Sequence, residues 1–97
     1  MTIQNKTILY TGAAGGLGLP ATLAFLEAGA TVVAIDNDPA KGEALKSAAR
    51  AAGFDRLVFQ SLDLSDLAGL RTALEALSAE VGGFDIVINN AAIYPSK

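Results

Sequence analysis

The sequence contains no cysteine, no histidine and no tryptophan. Disulfide frameworks, thiolate or imidazole metal sites, and any Ser-His or Cys-His nucleophile are therefore excluded from these residues. Aromatic residues make up only 6% of the chain and charged residues 18%. Seven Lys and Arg stand against ten Asp and Glu, for a net charge of −3. That is the wrong sign for a nucleic-acid footprint or an anionic membrane surface. No apolar run approaches the roughly 20 residues of a membrane span. From Met1 to Lys6 no basic region precedes an apolar stretch, so no signal peptide is visible. The expectation is a soluble cytoplasmic chain with no nucleic-acid or membrane partner. In that setting the glycosylation sequon Asn5-Lys6-Thr7 is a coincidence. What is present is 97 residues, 52% of them hydrophobic, with ten glycines. That suits one small folded domain with a modest core, and it is too apolar for a disordered chain.

Short β-branched runs alternate with longer stretches rich in Ala and Leu. Thr7 to Thr11 is predicted as a strand, and Leu17 to Ala28 as a helix that Gly29 terminates. Ala30 to Ile35 is a nearly continuous apolar run, as expected for a strand covered on both faces. Asp38-Pro39 supplies an N-cap and a first-turn proline for a helix that runs to about Ala52 and stops at Gly53. Leu57 to Phe59 is a third strand. A third helix starts at Ser65 or Asp66, places Leu67, Leu70, Leu74, Leu77 and Val81 on one face, and ends at Gly82-Gly83. Ile86 to Ile88 is a fourth strand leading into Asn89-Asn90.

Alternating strands and helices imply an α/β fold, a Rossmann-type doubly wound parallel sheet. Right-handed crossovers set the strand order at 3-2-1-4, with the first two helices on one face and the third on the other. Ligands bind such sheets in the crevice at the carboxyl ends of the strands where the order reverses, here between strands one and four. Strand four is left as an open apolar edge, with one helix to cover the second face. Residues 1–97 are therefore expected to be the N-terminal part of a single larger domain, whose remainder covers the edge and the bare face.

Thr11-Gly12-Ala13-Ala14-Gly15-Gly16-Leu17-Gly18 lies between a strand and a helix. Glycines there allow a tight turn and a close approach of backbone to a pyrophosphate, and the helix N-terminus offers free N–H groups. An ordinary turn is the plainer reading of the same residues. Pro20 falls in the helix's first turn, where a missing N–H is tolerated. Asp36, 18 positions beyond Gly18, ends the second strand. A carboxylate there can accept two hydrogen bonds from the adenosine ribose while repelling a 2′-phosphate. Asn37 follows it and the glycine loop holds no basic residue, which favours NAD over NADP. Asp36 could also be a turn residue ahead of Asp38-Pro39.

Taken together, Thr11-Gly-x-x-x-Gly16-x-Gly18, Asp36, Asp63-Leu64 and Asn89-Asn90-Ala91-Ala92 resemble the short-chain dehydrogenase/reductase family over nearly the whole chain. The resemblance implies cofactor contacts from Gly12, Ala14, Gly15, Gly16, Leu17 and Gly18 in the loop, and from Asp36 and Asn37. It also implies that Asp63 binds the adenine amino group, that the Leu64 backbone touches the ring, and that Asn90, Ala91 and Ala92 pass the adenosine ribose. On their own, Asp63 reads as a cap or turn residue and Asn89 as a buried amide satisfying backbone. The family's Asn-Asn-Ala-Gly is Asn-Asn-Ala-Ala here.

The family's catalytic Asn, Ser, Tyr and Lys are absent from these residues. Tyr94 and Lys97 are three apart with Pro95 between them, the wrong spacing for its helical pair. The implied activity is NAD-dependent hydride transfer between a nicotinamide and a small alcohol or carbonyl substrate. It would reside in a full-length homo-oligomer, with no catalytic group and no metal site in residues 1–97. Two alternatives stay open: an extended-type sugar-nucleotide epimerase or dehydratase, which Gly12, Gly15 and Gly18 also satisfy, and a non-catalytic dinucleotide-binding protein.

Overall fold

The computed structural model describes residues 3–12, 18–62 and 66–89. Its elements run β1 (Thr7–Thr11), α1 (Gly18–Glu27), β2 (Thr31–Asp36), α2 (Pro39–Ala51), β3 (Leu57–Ser61), α3 (Leu67–Val81) and β4 (Ile86–Asn89). All pairings are parallel and the strand order is β3-β2-β1-β4. This is the Rossmann-like arrangement that the alternation of elements predicts. No helix among the described residues is long and apolar enough to cross a membrane.

The central strands are buried because both their faces are packed. Ile8, Tyr10, Val32 and Ala34 point to one side, where Leu26 of α1 and Leu45 and Ala49 of α2 cover them. Leu9, Val33 and Ile35 point to the other side and meet Leu77 of α3. Each large side chain fully buried in this way contributes on the order of 1.5–3 kcal/mol relative to exposure. Tyr10 meets Phe25 edge to face, with ring centroids 5.9 Å apart.

Helix ends follow the local chemistry. The Asp38 carboxylate accepts the N–H groups of Ala40 and Lys41 at 3.1 and 3.2 Å, capping α2, with Pro39 as its first residue. Asp66 caps α3 by accepting the Gly69 N–H at 3.1 Å. Glycine follows each helix where the sequence predicts a stop, at Gly29, Gly53 and Gly82. At the amino end of the sheet, Asp85 clasps β1. Its N–H donates to the Thr7 carbonyl at 2.8 Å, and its Oδ2 accepts the Thr7 N–H at 2.8 Å.

The predicted start of α1 at Leu17 lies outside the described residues, and other boundaries and faces differ from the sequence reading. Helix α1 ends at Glu27, one residue before Ala28, and β4 includes Asn89. Strand β2 includes Asp36 instead of Ala30. Strand β3 runs on through Gln60 and Ser61, whose exposed polar side chains give no apolar signal at a sheet edge. Leu67, predicted on the packed face of α3, is 74% exposed and belongs to neither core cluster. It is the first residue after the Asp66 cap, before the helix has come over the sheet.

Candidate dinucleotide-binding site

Parallel pairing aligns the carboxyl ends of all four strands. Thr11 is level with Ile35 and with Asn89, and Asp36 is level with Ser61. Helix α1 begins at this same edge, with Gly18 buried and no acidic residue in its first turn. Its first N–H groups and the positive end of its dipole therefore meet no competing carboxylate from the helix itself. Pro20, third in the helix, costs no intrahelical hydrogen bond at that position.

Gly12 leaves β1 with a φ of 72°, and its N–H donates to the Ile35 carbonyl at 2.7 Å. Most other residues would be strained in that left-handed turn, and a side chain would also have to fit where the residue is already buried. One strand over, Asp36 ends β2 half-buried. Its Oδ1 accepts the Asp38 N–H at 3.1 Å, a local turn that holds the carboxylate at the sheet edge. Asn37 is exposed beside it.

Gly12, Gly18, Asp36 and Asn37 are thus brought to one edge. Ala14, Gly15, Gly16, Leu17, Asp63, Leu64, Asn90, Ala91 and Ala92, like Tyr94 and Lys97, lie outside the described residues. The sequence reading gives no individual role to two further side chains. The Thr11 hydroxyl donates to the Ile88 carbonyl at 3.4 Å, tying β1 to β4 where the strand order reverses. Thr22, one turn into α1, is fully buried, and its Oγ1 has no hydrogen-bond partner among the described residues. Thr11 opens the glycine-loop motif, but its link to Ile88 emerges only once β4 is known to lie beside β1. Thr22 stands at helical spacing with Gly18 and Leu26, and that buried stripe is its one sequence signal.

This combination fits a dinucleotide. It offers a turn without a side chain beside a helix N-terminus for a pyrophosphate, and a fixed carboxylate one strand away for a ribose.

A family model described as short chain dehydrogenase matches residues 6–97. Galactitol 2-dehydrogenase of Agrobacterium fabrum is 43% identical over 94 residues, covering 97% of this chain and 35% of that protein. Among solved structures, 2-keto-3-deoxy-D-gluconate dehydrogenase from Streptococcus agalactiae superposes with a TM-score of 0.84 at 32% identity. That match covers 96% of this chain and 35% of the other. The 3-ketoacyl-(acyl-carrier-protein) reductase from Brucella melitensis, complexed with NADH, gives a TM-score of 0.77 at 30% identity, over 89% of this chain and 34% of that one. The chain spans about a third of the length of each of these three relatives.

Proposed function

This chain belongs to the short-chain dehydrogenase family, and on that footing we propose that it carries the adenosine and pyrophosphate side of a nicotinamide-dinucleotide site in an oxidoreductase acting on a small alcohol or carbonyl. The observation that carries the reading is the meeting of left-handed Gly12, the N-terminus of α1 and the half-buried Asp36 on one sheet edge. A nicotinamide dinucleotide held by these residues would supply hydride transfer.

The chain's own residues hold the cofactor. Gly12, Ala14, Gly15, Gly16, Leu17 and Gly18 leave room for the pyrophosphate at the helix N-terminus. Asp36 accepts the adenosine ribose hydroxyls, with Asn37 beside it. Asp63 and Leu64 take the adenine, and Asn90, Ala91 and Ala92 line the ribose on the β4 side. Because Asp36 repels a 2′-phosphate and its chain neighbours are uncharged, NAD is the preferred cofactor. The groups that move the substrate proton come from a longer polypeptide, in a cytoplasmic homo-oligomer. Sugar alcohols are the first substrates to try, because the relative matched at 43% identity is named for galactitol.

Calorimetric titration of NAD and NADP against the chain and its Asp36→Ala variant tests this reading. NAD is expected to bind at least ~10-fold more tightly than NADP. Asp36→Ala should weaken NAD by roughly 10- to 100-fold, the value of a charged hydrogen bond. Equal affinity of the unaltered chain for both cofactors would remove the NAD preference, and binding of neither would remove the site.

A further inference from the structure

Glycine is the poorest helix former after proline, yet Gly42 stands inside α2, a helix otherwise rich in alanine. It is buried, and a Cβ added to it would lie 2.1 Å from the Cε2 and Cζ atoms of Phe59. Carbon atoms rest roughly 3.5–4.0 Å apart, so a side chain here would drive ring and helix apart by more than ~1 Å. The ring belongs to the sheet. Phe59 is level with the fully buried Ala34 of β2 and packs against the cluster that holds Leu45 and Ala49 of α2. An outward shift of α2 is the response that keeps the ring in that cluster.

What Gly42 seats is the start of the helix, and Asp36 is tied to that start. The Gly42 N–H donates to the Asp38 carbonyl at 3.0 Å, one helical turn nearer the N-terminus. The Asp38 N–H donates to Oδ1 of Asp36 at 3.1 Å, near the long end of the range for such bonds. The Asp36 backbone is fixed by the sheet, since its carbonyl accepts the Leu62 N–H at 2.9 Å and it pairs with Ser61. The bond to Oδ1 therefore spans the seam between sheet and helix. Asn37 alone lies between Asp36 and Asp38, so no loop absorbs a shift of α2, and an outward shift opens the turn.

We propose that Gly42 is a positioning residue for cofactor binding: bare of a side chain, it seats α2 on Phe59 and so keeps the Asp38 N–H against the Asp36 carboxylate. That carboxylate then meets the adenosine ribose already oriented. The proposal rests on the reading of Asp36 as the ribose acceptor and adds what holds it in place. A side chain fixed in advance by the protein loses less freedom when a ligand arrives, so the seat contributes affinity without touching the ligand. With α2 displaced, the contact is still chemically available but no longer pre-formed.

Calorimetric titration of NAD, and of its analogue lacking the adenosine 2′-hydroxyl, isolates the ribose contact. The unaltered chain is expected to prefer NAD by at least ~10-fold. In Gly42→Ala that preference should fall by about 3- to 10-fold, the value of one newly mobile side chain. Gly42→Ala combined with Phe59→Leu, which withdraws the ring atoms nearest the new methyl, should restore it. Partial unfolding weakens both ligands by the same factor, so a merely structural effect leaves the ratio unmoved. In the ligand-free chain, the Asp38 amide proton followed by NMR should move upfield in Gly42→Ala and return in the double variant.

An unchanged preference in folded Gly42→Ala overturns the proposal and leaves the cofactor reading standing. So does a loss that the double variant fails to restore, or an Asp38 amide that stays in place. Equal affinity of the unaltered chain for NAD and the analogue removes the ribose reading itself, and the proposal with it. If Gly42→Ala does not fold, Asp38→Ala opens the same turn by fraying the start of α2, and Asp38→Ser, another capping residue, is its rescue. Loss of the preference in Asp38→Ala and its return in Asp38→Ser support the proposal, and a preference that survives Asp38→Ala overturns it.

Discussion

At the scale of single residues, Gly42 shows how a missing side chain sets the distance between two elements. A Cβ built on Gly42 would fall 2.1 Å from ring atoms of Phe59 on β3, so α2 lies on the edge strand only because that position is bare. Gly42→Ala is expected to force the ring or the helix aside, at a cost of about 1–3 kcal/mol, despite the better helix propensity of alanine. Urea denaturation measures it, and an unchanged midpoint would mean that Phe59 swings away freely. Thr22 presents the opposite case, a buried hydroxyl with no partner among the described residues. Thr22→Val keeps the branched shape and removes the unsatisfied group. The same denaturation experiment should find it neutral or stabilised by up to roughly 1 kcal/mol. A loss of more than that would reveal a partner for the hydroxyl.

At the scale of elements, the helices were the most legible because their ends are written in local chemistry. Asp38-Pro39 and Gly53 bracket α2 in the sequence, and the carboxylate does accept the N–H groups of Ala40 and Lys41. Asp38→Ala should cost about 0.5–2 kcal/mol by thermal denaturation. Within the same helix, Lys46 donates to Glu43 across 2.8 Å, and that hydrogen bond, followed by the lysine's charge, holds the Glu43 carboxyl below its ordinary value. Since the folded value is the lower one, the pair's support for the fold is present above the ordinary carboxylate range. It is lost as pH falls through Glu43's lowered value. Lys46→Met should return the Glu43 titration, followed by NMR, toward the ordinary carboxylate value.

Less legible were features decided across the sheet. The tail of β3 is polar and exposed, so pairing with β2 rather than hydrophobicity extends it to Ser61. Leu67 obeys the helical period yet lies outside the packing, because periodicity does not say where a helix starts to cross a sheet. In the candidate site, Asp36 was legible from its place after an apolar strand. Its bond to the Asp38 N–H and the Thr11 link to Ile88 depend on turn geometry and strand order that single residues do not announce.

For the whole molecule, the order β3-β2-β1-β4 is one of the few that alternation and right-handed crossovers allow. It places the candidate site where four strand ends and one helix N-terminus converge, so ligand binding should be felt by the whole fold. NAD at about one hundred times its dissociation constant should add about 2.7 kcal/mol and raise the melting temperature by on the order of 10–20 °C. NADP at the same concentration should raise it far less. Equal shifts, measured by differential scanning fluorimetry, would contradict the role given to Asp36.

The central position of β1 also has a consequence for biosynthesis. β1 leaves the ribosome ahead of β2, β3 and β4, but its two edges are closed at very different times. One edge is paired as soon as β2 emerges, while the other waits for β4, and the Thr11–Ile88 link spans 77 positions. At about 5–20 residues per second, the stretch from Asp36 to Ile86 takes roughly 3–10 s to translate. For that interval the nascent chain presents one unpaired backbone edge of a strand that is buried in the finished fold, and pulse-labelling should find ribosome-associated chaperones bound until β4 has emerged and released once it docks.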